Sequence, residues 1–325
     1  MGGLTLRRLR RDAAVRELAR EVELTSGKFI QPLFVAQDLR AREAVPGLAG
    51  VWRETPQTLL AQIEADLAAG VSKFLLFGVP AAKAERGFDH RYTASQIAAI
   101  RARFGESVWL AVDVCLCSHT THGHCGVLND SWDHVDNGAS VAELATAALA
   151  YARAGADCVA PSDMMDGRIG AIRTALDAAG LDGVVLMSYA AKFHSAFYGP
   201  FRLAADSAPA NDLKLRDRAS YQIDPARPAD ARLSAERDAR EGADILMVKP
   251  GLPYLDVLRD LSRALPQPWA VYQTSGEQAA LELLAQAGLG DLDRLQLETW
   301  TALRRAGAAM IISYAARRAR ALTGR

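Results

Sequence analysis

Residues 230–250 read DARLSAERDAREGADILMVKP and span the junction between one helix and one strand. The first part, Asp230–Glu241, is Ala-rich and amphipathic, which predicts a helix with one buried face. Gly242 follows at the position where a glycine commonly ends a helix. The next run, Ile245–Lys249, is short and apolar, as is typical of a strand buried on both faces. This stretch therefore predicts a helix that leads directly into a buried strand.

The same arrangement recurs along the whole chain. Short runs rich in Val, Ile, Leu or aromatic residues predict eight strands: Phe29–Val35, Lys73–Val79, Val108–Cys115, Cys158–Ser162, Val184–Tyr189, Ile245–Lys249, Trp269–Gln273 and Met310–Tyr314. Between them lie amphipathic stretches such as Pro56–Ala69, Ser140–Ala154, Ile169–Ala179, Asp230–Glu241, Leu252–Ala264 and Glu277–Ala287. Eight strands that alternate with helices predict an α/β fold, the TIM (β/α)₈ barrel. A doubly wound sheet is disfavoured because Ala36-Gln37-Asp38, after the first strand, contains no glycine-rich phosphate turn.

Composition narrows the class of protein further. Half of the 325 residues are hydrophobic, and 38 basic residues balance 38 acidic ones. A chain without net charge lacks the basic field of a general nucleic-acid or membrane-surface binder. No apolar run approaches the roughly 18 residues of a membrane span, and no apolar segment follows the Arg-rich start. We therefore expect a cytoplasmic enzyme that acts on a small molecule.

The few lysines are informative, because only six of the 38 basic residues are Lys. Two of them, Lys192 and Lys249, lie at the ends of the neighbouring fifth and sixth predicted strands. In a TIM barrel the carboxyl ends of the strands form the active site, and adjacent strands are roughly 4.8 Å apart. Two ammonium groups at one apolar mouth lower each other's pKa, which yields an amine able to attack a carbonyl. The pair predicts Schiff-base chemistry.

Three of the four cysteines cluster at the end of the third strand and just after it. Cys115 and Cys117 are expected to point the same way along an extended chain, and Cys125 returns after a short loop. Three thiolates can bind Zn²⁺ and leave its fourth tetrahedral position open, as in a catalytic site. His124, beside Cys125, could add a fourth ligand or a partner that supports the ligands. Three free thiols remain the alternative, and Cys158 is expected in the core.

Two segments are expected to lie outside the barrel proper. Residues 1–26 are charged and carry no strand pattern, so we interpret them as an N-terminal arm, with residues 27–325 as the catalytic barrel. Residues 199–228 are long, polar and rich in arginine, which is typical of a lid over an active site. Arginines there could bind a substrate carboxylate through two parallel hydrogen bonds.

Together these motifs resemble the porphobilinogen synthase (5-aminolevulinate dehydratase) family over residues 6–316. The resemblance rests on four blocks: Asp113–Cys117 with His122–Gly126, Ala160–Arg168, Ser188–Phe193 with Ser195–Arg202, and Met247–Pro250. It implies a lyase of tetrapyrrole (heme) biosynthesis that condenses two 5-aminolevulinate molecules to porphobilinogen with loss of two waters. It also implies a homo-octamer, or a lower-order assembly, in which the N-terminal arm contacts a neighbouring subunit.

The resemblance assigns roles to individual residues. Lys249 and Lys192 would form the two imines, with Asp113 and Tyr189 shaping the pocket. Ser275 and Tyr314 would hold the first carboxylate. Arg202, Arg218 and Gln222 would hold the second. Cys115, Cys117 and Cys125 match the ligands of the zinc-dependent branch, in which the metal serves the second substrate.

The chain departs from the family pattern at several positions. The departures are His119 in place of Tyr, Ala219 in place of a basic residue, Gln278 in place of an aromatic residue, Ala309 in place of Asp, and a longer segment at Ala210–Arg216. Ser234 stands where magnesium-activated members carry Glu, so we predict no allosteric Mg²⁺ site.

Three other functions remain open from the sequence. A paralogue that joins 5-aminolevulinate or a related keto-amine differently would keep both lysines and change the lid. A class I aldolase would need one lysine and no cysteine trio. A zinc-binding module without activity would need neither lysine.

Overall fold

A computed structural model describes residues 6–210 and 214–324, and eight parallel strands within them form a closed barrel. Each strand pairs with the next one along the chain, and Phe29 and Ile30 pair with Ile311 and Ile312 to close the ring. The predicted TIM barrel is confirmed. Its strands are β1 (Phe29–Ala36), β2 (Lys73–Val79), β3 (Trp109–Val114), β4 (Cys158–Pro161), β5 (Val185–Lys192), β6 (Ile245–Lys249), β7 (Trp269–Gln273) and β8 (Met310–Ser313).

Helices surround the barrel. They are α1 (Ala13–Leu18), α2 (Pro56–Ala68), α3 (Arg91–Phe104), α4 (Asn137–Arg153), α5 (Arg168–Ala178), α6 (Gly199–Ala204), α7 (Pro228–Arg240), α8 (Leu255–Ala264), α9 (Ser275–Gln286), α10 (Leu292–Arg305) and α11 (Ala319–Thr323). Short 3₁₀ turns cover Leu6–Arg10, Ser26–Lys28, Gly105–Ser107, Leu252–Tyr254 and Ala316–Arg318. None of the helices in the described parts of the chain has the length and apolar character that a transmembrane segment needs.

The sequence predicted most boundaries closely, with a few corrections. Seven strands begin and end within one residue of the prediction, whereas β5 runs three residues further and includes Lys192. The helix predicted from Leu252 begins as a 3₁₀ turn and becomes α8 only at Leu255. Two short strands, Glu43–Ala44 and Trp52–Glu54, were not predicted and extend the sheet beside β1.

Alternation along the strands divides the core into an inner and an outer layer. Side chains at every second position, such as Ala111, Met247 and Ala270, fill the barrel interior, as does the predicted core residue Cys158. The intervening positions, such as Val112 and Val248, pack against the helices. Counting two residues onward from an inner residue near the carboxyl end of a strand therefore identifies a side chain at the mouth.

Strand β5 breaks this alternation. Ser188 pairs with Leu246, but the next paired residues are Ala191 and Val248, so β5 contains one residue more than β6 between the two pairs. Such a bulge reverses the inward and outward positions of all later residues. Met187 and Tyr189 face the interior, and strict alternation would turn Lys192 outward. Because of the bulge, Lys192 faces inward.

The segments outside the barrel have structure of their own. The described part of the arm, residues 6–26, contains a 3₁₀ turn and α1, and neither element buries a residue. The predicted lid contains α6, which lies near α9. Residues 1–5 of the arm and residues 211–213 of the lid lie outside the described residues.

Candidate active site

The two predicted lysines lie side by side at the mouth of the barrel. Lys192 is the last residue of β5 and Lys249 is the last residue of β6, and the two are paired partners in the parallel ladder. Their exposed fractions are only 4% and 3%. Burying two charged ammonium groups this deeply in one mouth costs free energy, and the cost falls when one of them gives up its proton.

Aromatic rings surround the Lys249 amine. Its Nζ lies 4.0 Å from the ring centroid of Tyr272, 4.7 Å from that of Phe201, and 5.1 Å from that of Tyr189. Tyr198 adds a fourth ring at 5.5 Å. Burial, followed by the positive charge of Lys192, lowers the pKa of Lys249 to about 7. Ring faces attract a cation, but the loss of hydration outweighs that attraction here.

Lys192 has a more polar environment. Its Nζ donates a hydrogen bond to the Ser162 carbonyl, and it lies 5.6 Å from the ring centroid of Tyr189. The carboxyl of Asp113, which follows the inner residue Ala111 by two positions, lies in the charge field of both lysines. Burial raises the pKa of Asp113 to about 6, although the two lysine charges and a hydrogen bond with Ser162 oppose the rise. The mouth thus holds one amine, that of Lys249, and one carboxyl, that of Asp113, that can exchange protons near neutral pH.

The three predicted metal ligands converge beside the lysines. The sulfur atoms of Cys115, Cys117 and Cys125 all lie within 4.8 Å of one another, and all three side chains are buried. Cys115 and Cys117 are 3.3 Å apart at their Sγ atoms. Hydrogen bonds from the other two thiols, and then the charge of Arg218, lower the pKa of Cys125. The cluster has the donor type, number and spacing to hold a metal ion.

One expectation about the cysteines was wrong. They were expected along an extended chain, but β3 ends at Val114 and the chain turns at once. The amides of His119 and Thr120 both donate to the Leu116 carbonyl within this turn. The turn, rather than strand geometry, brings Cys117 back toward Cys115.

His124 supports the cysteine cluster and does not belong to it. Its Nδ1 lies 3.0 Å from the Tyr221 hydroxyl, and its Nε2 lies 2.9 Å from the Leu215 carbonyl. The same Tyr221 hydroxyl accepts a hydrogen bond from the Cys125 amide. His124 therefore contacts the backbone of Cys125 through Tyr221, a residue that the sequence analysis did not single out.

The residues predicted to hold the second carboxylate lie on the lid side of the mouth, toward the cysteines. Arg218 is buried and its Nη2 donates to the carbonyls of Ser207 and Gly123. Arg202 is half-buried, and burial together with the Arg218 charge lowers its pKa. Gln222 is buried, and neither atom of its side-chain amide has a hydrogen-bond partner among the described residues. These groups leave donors free for an anionic ligand.

The other predicted carboxylate site lies at the ends of β7 and β8. The Tyr314 hydroxyl accepts a hydrogen bond of 3.1 Å from Tyr272. The Ser275 hydroxyl accepts one from the Phe201 amide, which joins the lid to the start of α9. A Cβ atom at Gly276 would lie 2.7 Å from the Phe197 backbone, so only glycine permits this close approach.

Some residues at the site were missed by the sequence analysis. Tyr272 follows the inner residue Ala270 by two positions, so strand alternation would have identified it. Phe201 comes from the lid and Tyr198 from the position just before it, and no local pattern links them to Lys249. The buried Glu277 carboxylate accepts hydrogen bonds from the amides of Gly251, Leu252 and Thr274, which anchors the loop after Lys249.

The positions that depart from the family pattern are spread over the barrel, its helices and the lid. His119 is buried, with its ring centroid 5.2 Å from that of His90. Gln278 donates to Glu282 within α9, and the Ala309 amide donates to the Trp269 carbonyl. Ala219 lies in the turn after Arg218, and the Ser234 hydroxyl accepts from Arg237. The absence of an allosteric Mg²⁺ site stays a prediction.

Comparisons with known proteins point to one family. The family model described as "Delta-aminolevulinic acid dehydratase" matches residues 4–322. A curated relative of that name from Bacillus subtilis (strain 168) is 40% identical over 315 residues, which covers 96% of this chain and 95% of the relative. Another of that name, from Staphylococcus aureus (strain Mu50), is 38% identical and covers 96% of each chain.

A solved structure is also similar over nearly the whole chain. It is a delta-aminolevulinic acid dehydratase (porphobilinogen synthase) from Toxoplasma gondii ME49, in complex with the reaction product porphobilinogen. It superposes with a TM-score of 0.92 at 37% identity, and the match covers 98% of this chain and 90% of that one.

Proposed function

The chain belongs to the delta-aminolevulinic acid dehydratase (porphobilinogen synthase) family of lyases, and from that premise we propose that it condenses two 5-aminolevulinate molecules through imines on Lys249 and Lys192. The observation that carries this proposal is the pairing of two buried lysines, in register, at the mouth of one barrel. The reaction joins two keto-amines and releases two waters.

The first imine forms on Lys249. With a pKa of about 7, a large fraction of this amine is unprotonated at neutral pH and can attack the substrate ketone. The carbonyl oxygen leaves as the first water, and the new C=N bond acidifies the neighbouring C–H bonds. The rings of Tyr272, Phe201 and Tyr198 exclude water from the imine and so slow its hydrolysis.

The second imine forms on Lys192, and its carbonyl oxygen leaves as the second water. A carbon beside one imine gives up a proton to Asp113, adds to the imine carbon of the other substrate and forms the carbon–carbon bond. One imine then remains. The amino group of the other substrate attacks this imine carbon and displaces its lysine. Elimination of the second lysine, with loss of a proton, yields the pyrrole. Both lysines are regenerated, so the two expelled waters complete the balance.

Asp113 is suited to the proton transfers. Its carboxyl faces both lysines, and its pKa of about 6 lets it accept and return a proton near neutral pH. In its charged form it also stabilises the cationic imines by Coulomb attraction. We assign it the role of proton shuttle between the two substrates, with Tyr189 between the amines as the wall of the pocket.

The carboxylates of the two substrates would be held at opposite sides of the mouth. Ser275 and Tyr314 offer hydroxyl groups near Lys249, at the ends of β7 and β8. Arg202, Arg218 and Gln222 offer guanidinium and amide donors beside the cysteines, near Lys192. Charge-assisted hydrogen bonds from arginine are the stronger type. We therefore expect binding of the second substrate to depend more on the residues that hold its carboxylate.

We propose Zn²⁺ as the metal of the Cys115, Cys117 and Cys125 cluster, because three thiolates favour a soft or borderline cation. When bound, Zn²⁺ would be held by these three thiolates and would supply Lewis-acid chemistry to the second substrate. Arg218 balances the thiolate charge from the lid side.

The arm and the cellular setting complete the proposal. Leu6, Leu9 and Leu18 of the arm are 67%, 59% and 87% exposed, which suits a segment that packs on a neighbouring subunit. We propose that residues 1–26 contact a neighbour in a homo-octamer or a lower-order assembly, and that residues 27–325 form the catalytic barrel. Four free cysteines suit the reducing cytoplasm.

The proposal is tested by pyrrole formation. Purified protein is incubated with 5-aminolevulinate under reducing conditions, with added Zn²⁺ or with a chelator, and the product is detected with Ehrlich's reagent. We expect pyrrole with Zn²⁺ and little with chelator. Pyrrole in both tubes would overturn the metal assignment alone. Substrate consumption without pyrrole would indicate a different condensation, and no consumption would contradict the proposed function.

A further inference from the structure

A buried ionic network lies outside the barrel, behind the bulge in β5. At its centre is Arg168, the first residue of α5, whose side chain is fully buried. Its Nη2 lies 3.1 Å from the Asp238 carboxylate of α7. Neither residue faces the mouth of the barrel, and the proposed reaction uses neither of them.

This network contacts the bulge directly. Arg168 Nη2 donates to the Ser188 hydroxyl at 3.3 Å and to the Tyr189 carbonyl at 3.4 Å. The Ser188 hydroxyl in turn donates to Asp238 at 2.6 Å. Ser188 is the last residue paired with β6 before the extra residue, and Tyr189 follows it within the bulged segment between Ser188 and Ala191. A bulge disrupts the ladder locally, and here a guanidinium from outside the sheet supplies a donor to the bulged segment.

The same guanidinium also contacts the turn after Ser162, the residue whose carbonyl accepts a hydrogen bond from Lys192. Its Nη1 donates to the Met165 carbonyl, and its Nε lies 3.6 Å from the Asp163 carboxylate. Asp163 accepts from the Met165 amide and so holds the turn that follows Ser162. The Ser162 carbonyl is the acceptor for Lys192 Nζ. Arg168 therefore braces both the strand that carries Lys192 and the carbonyl that receives its amine.

We propose that Arg168 and Asp238 are positioning residues for Lys192: they hold the β5 bulge in the register that turns this lysine into the mouth. The inference rests on the proposed function, since it concerns the second of the two imine-forming amines. Lys249 depends on a different support, the Glu277 carboxylate that anchors the loop after it. Loosening the Arg168 network should therefore impair Lys192 and spare Lys249.

The test compares the two lysines within one protein. Arg168→Lys keeps the positive charge but cannot serve Asp238, Ser188 and Tyr189 together from one planar group. Protein is incubated with 5-aminolevulinate and reduced with borohydride, and the adduct on each lysine is quantified by peptide mass spectrometry. We expect the adduct on Lys192 to fall about tenfold or more and the adduct on Lys249 to stay within about twofold of wild type.

Matched variants separate positioning from general stability. Arg173→Lys, on the same helix, changes an arginine that bonds Asp177 and the Val184 carbonyl, away from the bulge, and should leave the adduct ratio unchanged. Asp238→Asn keeps the shape and should lower the ratio as Arg168→Lys does. Ser188→Ala is a milder change for use if either variant fails to fold, and it should lower the ratio less.

The outcomes distinguish this inference from the proposed function. If wild-type protein forms no adduct on either lysine, the proposed function fails and the inference fails with it. If wild-type protein forms both adducts and the Arg168, Asp238 and Ser188 variants keep the wild-type ratio, only the inference fails. Equal losses on both lysines, with a lower melting temperature, would show that the network is merely structural.

Discussion

The two lysines of the active site are paired neighbours, yet they have opposite environments. Lys249 lies within 5.5 Å of four aromatic ring centroids, whereas Lys192 is bonded to the Ser162 carbonyl and lies on the side of the cysteines and lid arginines. We call the surroundings of Lys249 the aromatic half of the site, and the surroundings of Lys192 the polar half. The difference shows how one residue type can serve two purposes: rings remove water from one amine, and polar groups orient the other. We expect the first to govern imine formation and the second to govern the joining of the substrates.

The largest effect should come from removing the amine in the aromatic half. Lys249→Met is expected to lower kcat about 10⁴-fold or more, because the nucleophile is lost while a side chain of similar size fills the space. The measurement is the rate of pyrrole formation together with borohydride trapping. Lys73→Met, at the opposite end of the barrel, is the control. Residual activity above one per cent would contradict the assignment of Lys249.

The next largest effect should come from the polar half. Cys125→Ala is expected to lower activity about 100-fold or more and to remove bound metal, because two thiolates hold an ion less well than three. Metal content per chain is measured alongside activity. Cys158→Ala, inside the barrel, should keep the metal. A Cys125→Ala variant with full metal content would refute the three-cysteine site.

A smaller effect tests whether the halves communicate by charge. The Lys192 charge lowers the pKa of Lys249, so Lys192→Met should raise that pKa above about 7. The free-amine fraction at pH 7 then falls, and the rate of imine formation on Lys249 falls by less than about tenfold. Its pH profile, measured by trapping, should move to higher pH.

Asp113→Asn provides the control of opposite sign. The Asp113 charge raises the pKa of Lys249, so its removal should move the profile to lower pH. If both variants moved the profile in the same direction, Coulomb coupling between the groups would not be the cause.

The smallest effect concerns one hydroxyl in the aromatic half. Tyr272→Phe keeps the ring over Lys249 but removes the hydrogen bond to Tyr314. One neutral hydrogen bond contributes about 1 kcal/mol, so we expect KM to rise about three- to fivefold with kcat little changed. Steady-state kinetics decide this, and a loss of kcat beyond tenfold would mean that the Tyr272 hydroxyl takes part in the chemistry.

The sequence by itself predicted the elements of the fold and the candidate residues of the site. These predictions rest on local features of the sequence. Examples are the apolar run Ile245–Lys249, the helix that ends before Gly242, and the reactive residues at strand ends. Local pattern is sufficient for them, because strand burial and helix termination depend on residues a few positions apart. The barrel and the lysine, cysteine and arginine candidates could therefore all be predicted.

Tertiary structure alone decided how those residues are aimed. Strand alternation counted from Tyr189 would turn Lys192 away from the mouth, and only the register against β6 turns it inward. Likewise, a turn rather than a strand gathers Cys115 and Cys117. Tyr198 and Phe201 reach Lys249 from the start of the lid and the residue before it, more than forty residues earlier in the chain. Register and lid packing are set by contacts between segments distant in sequence, so no local pattern records them.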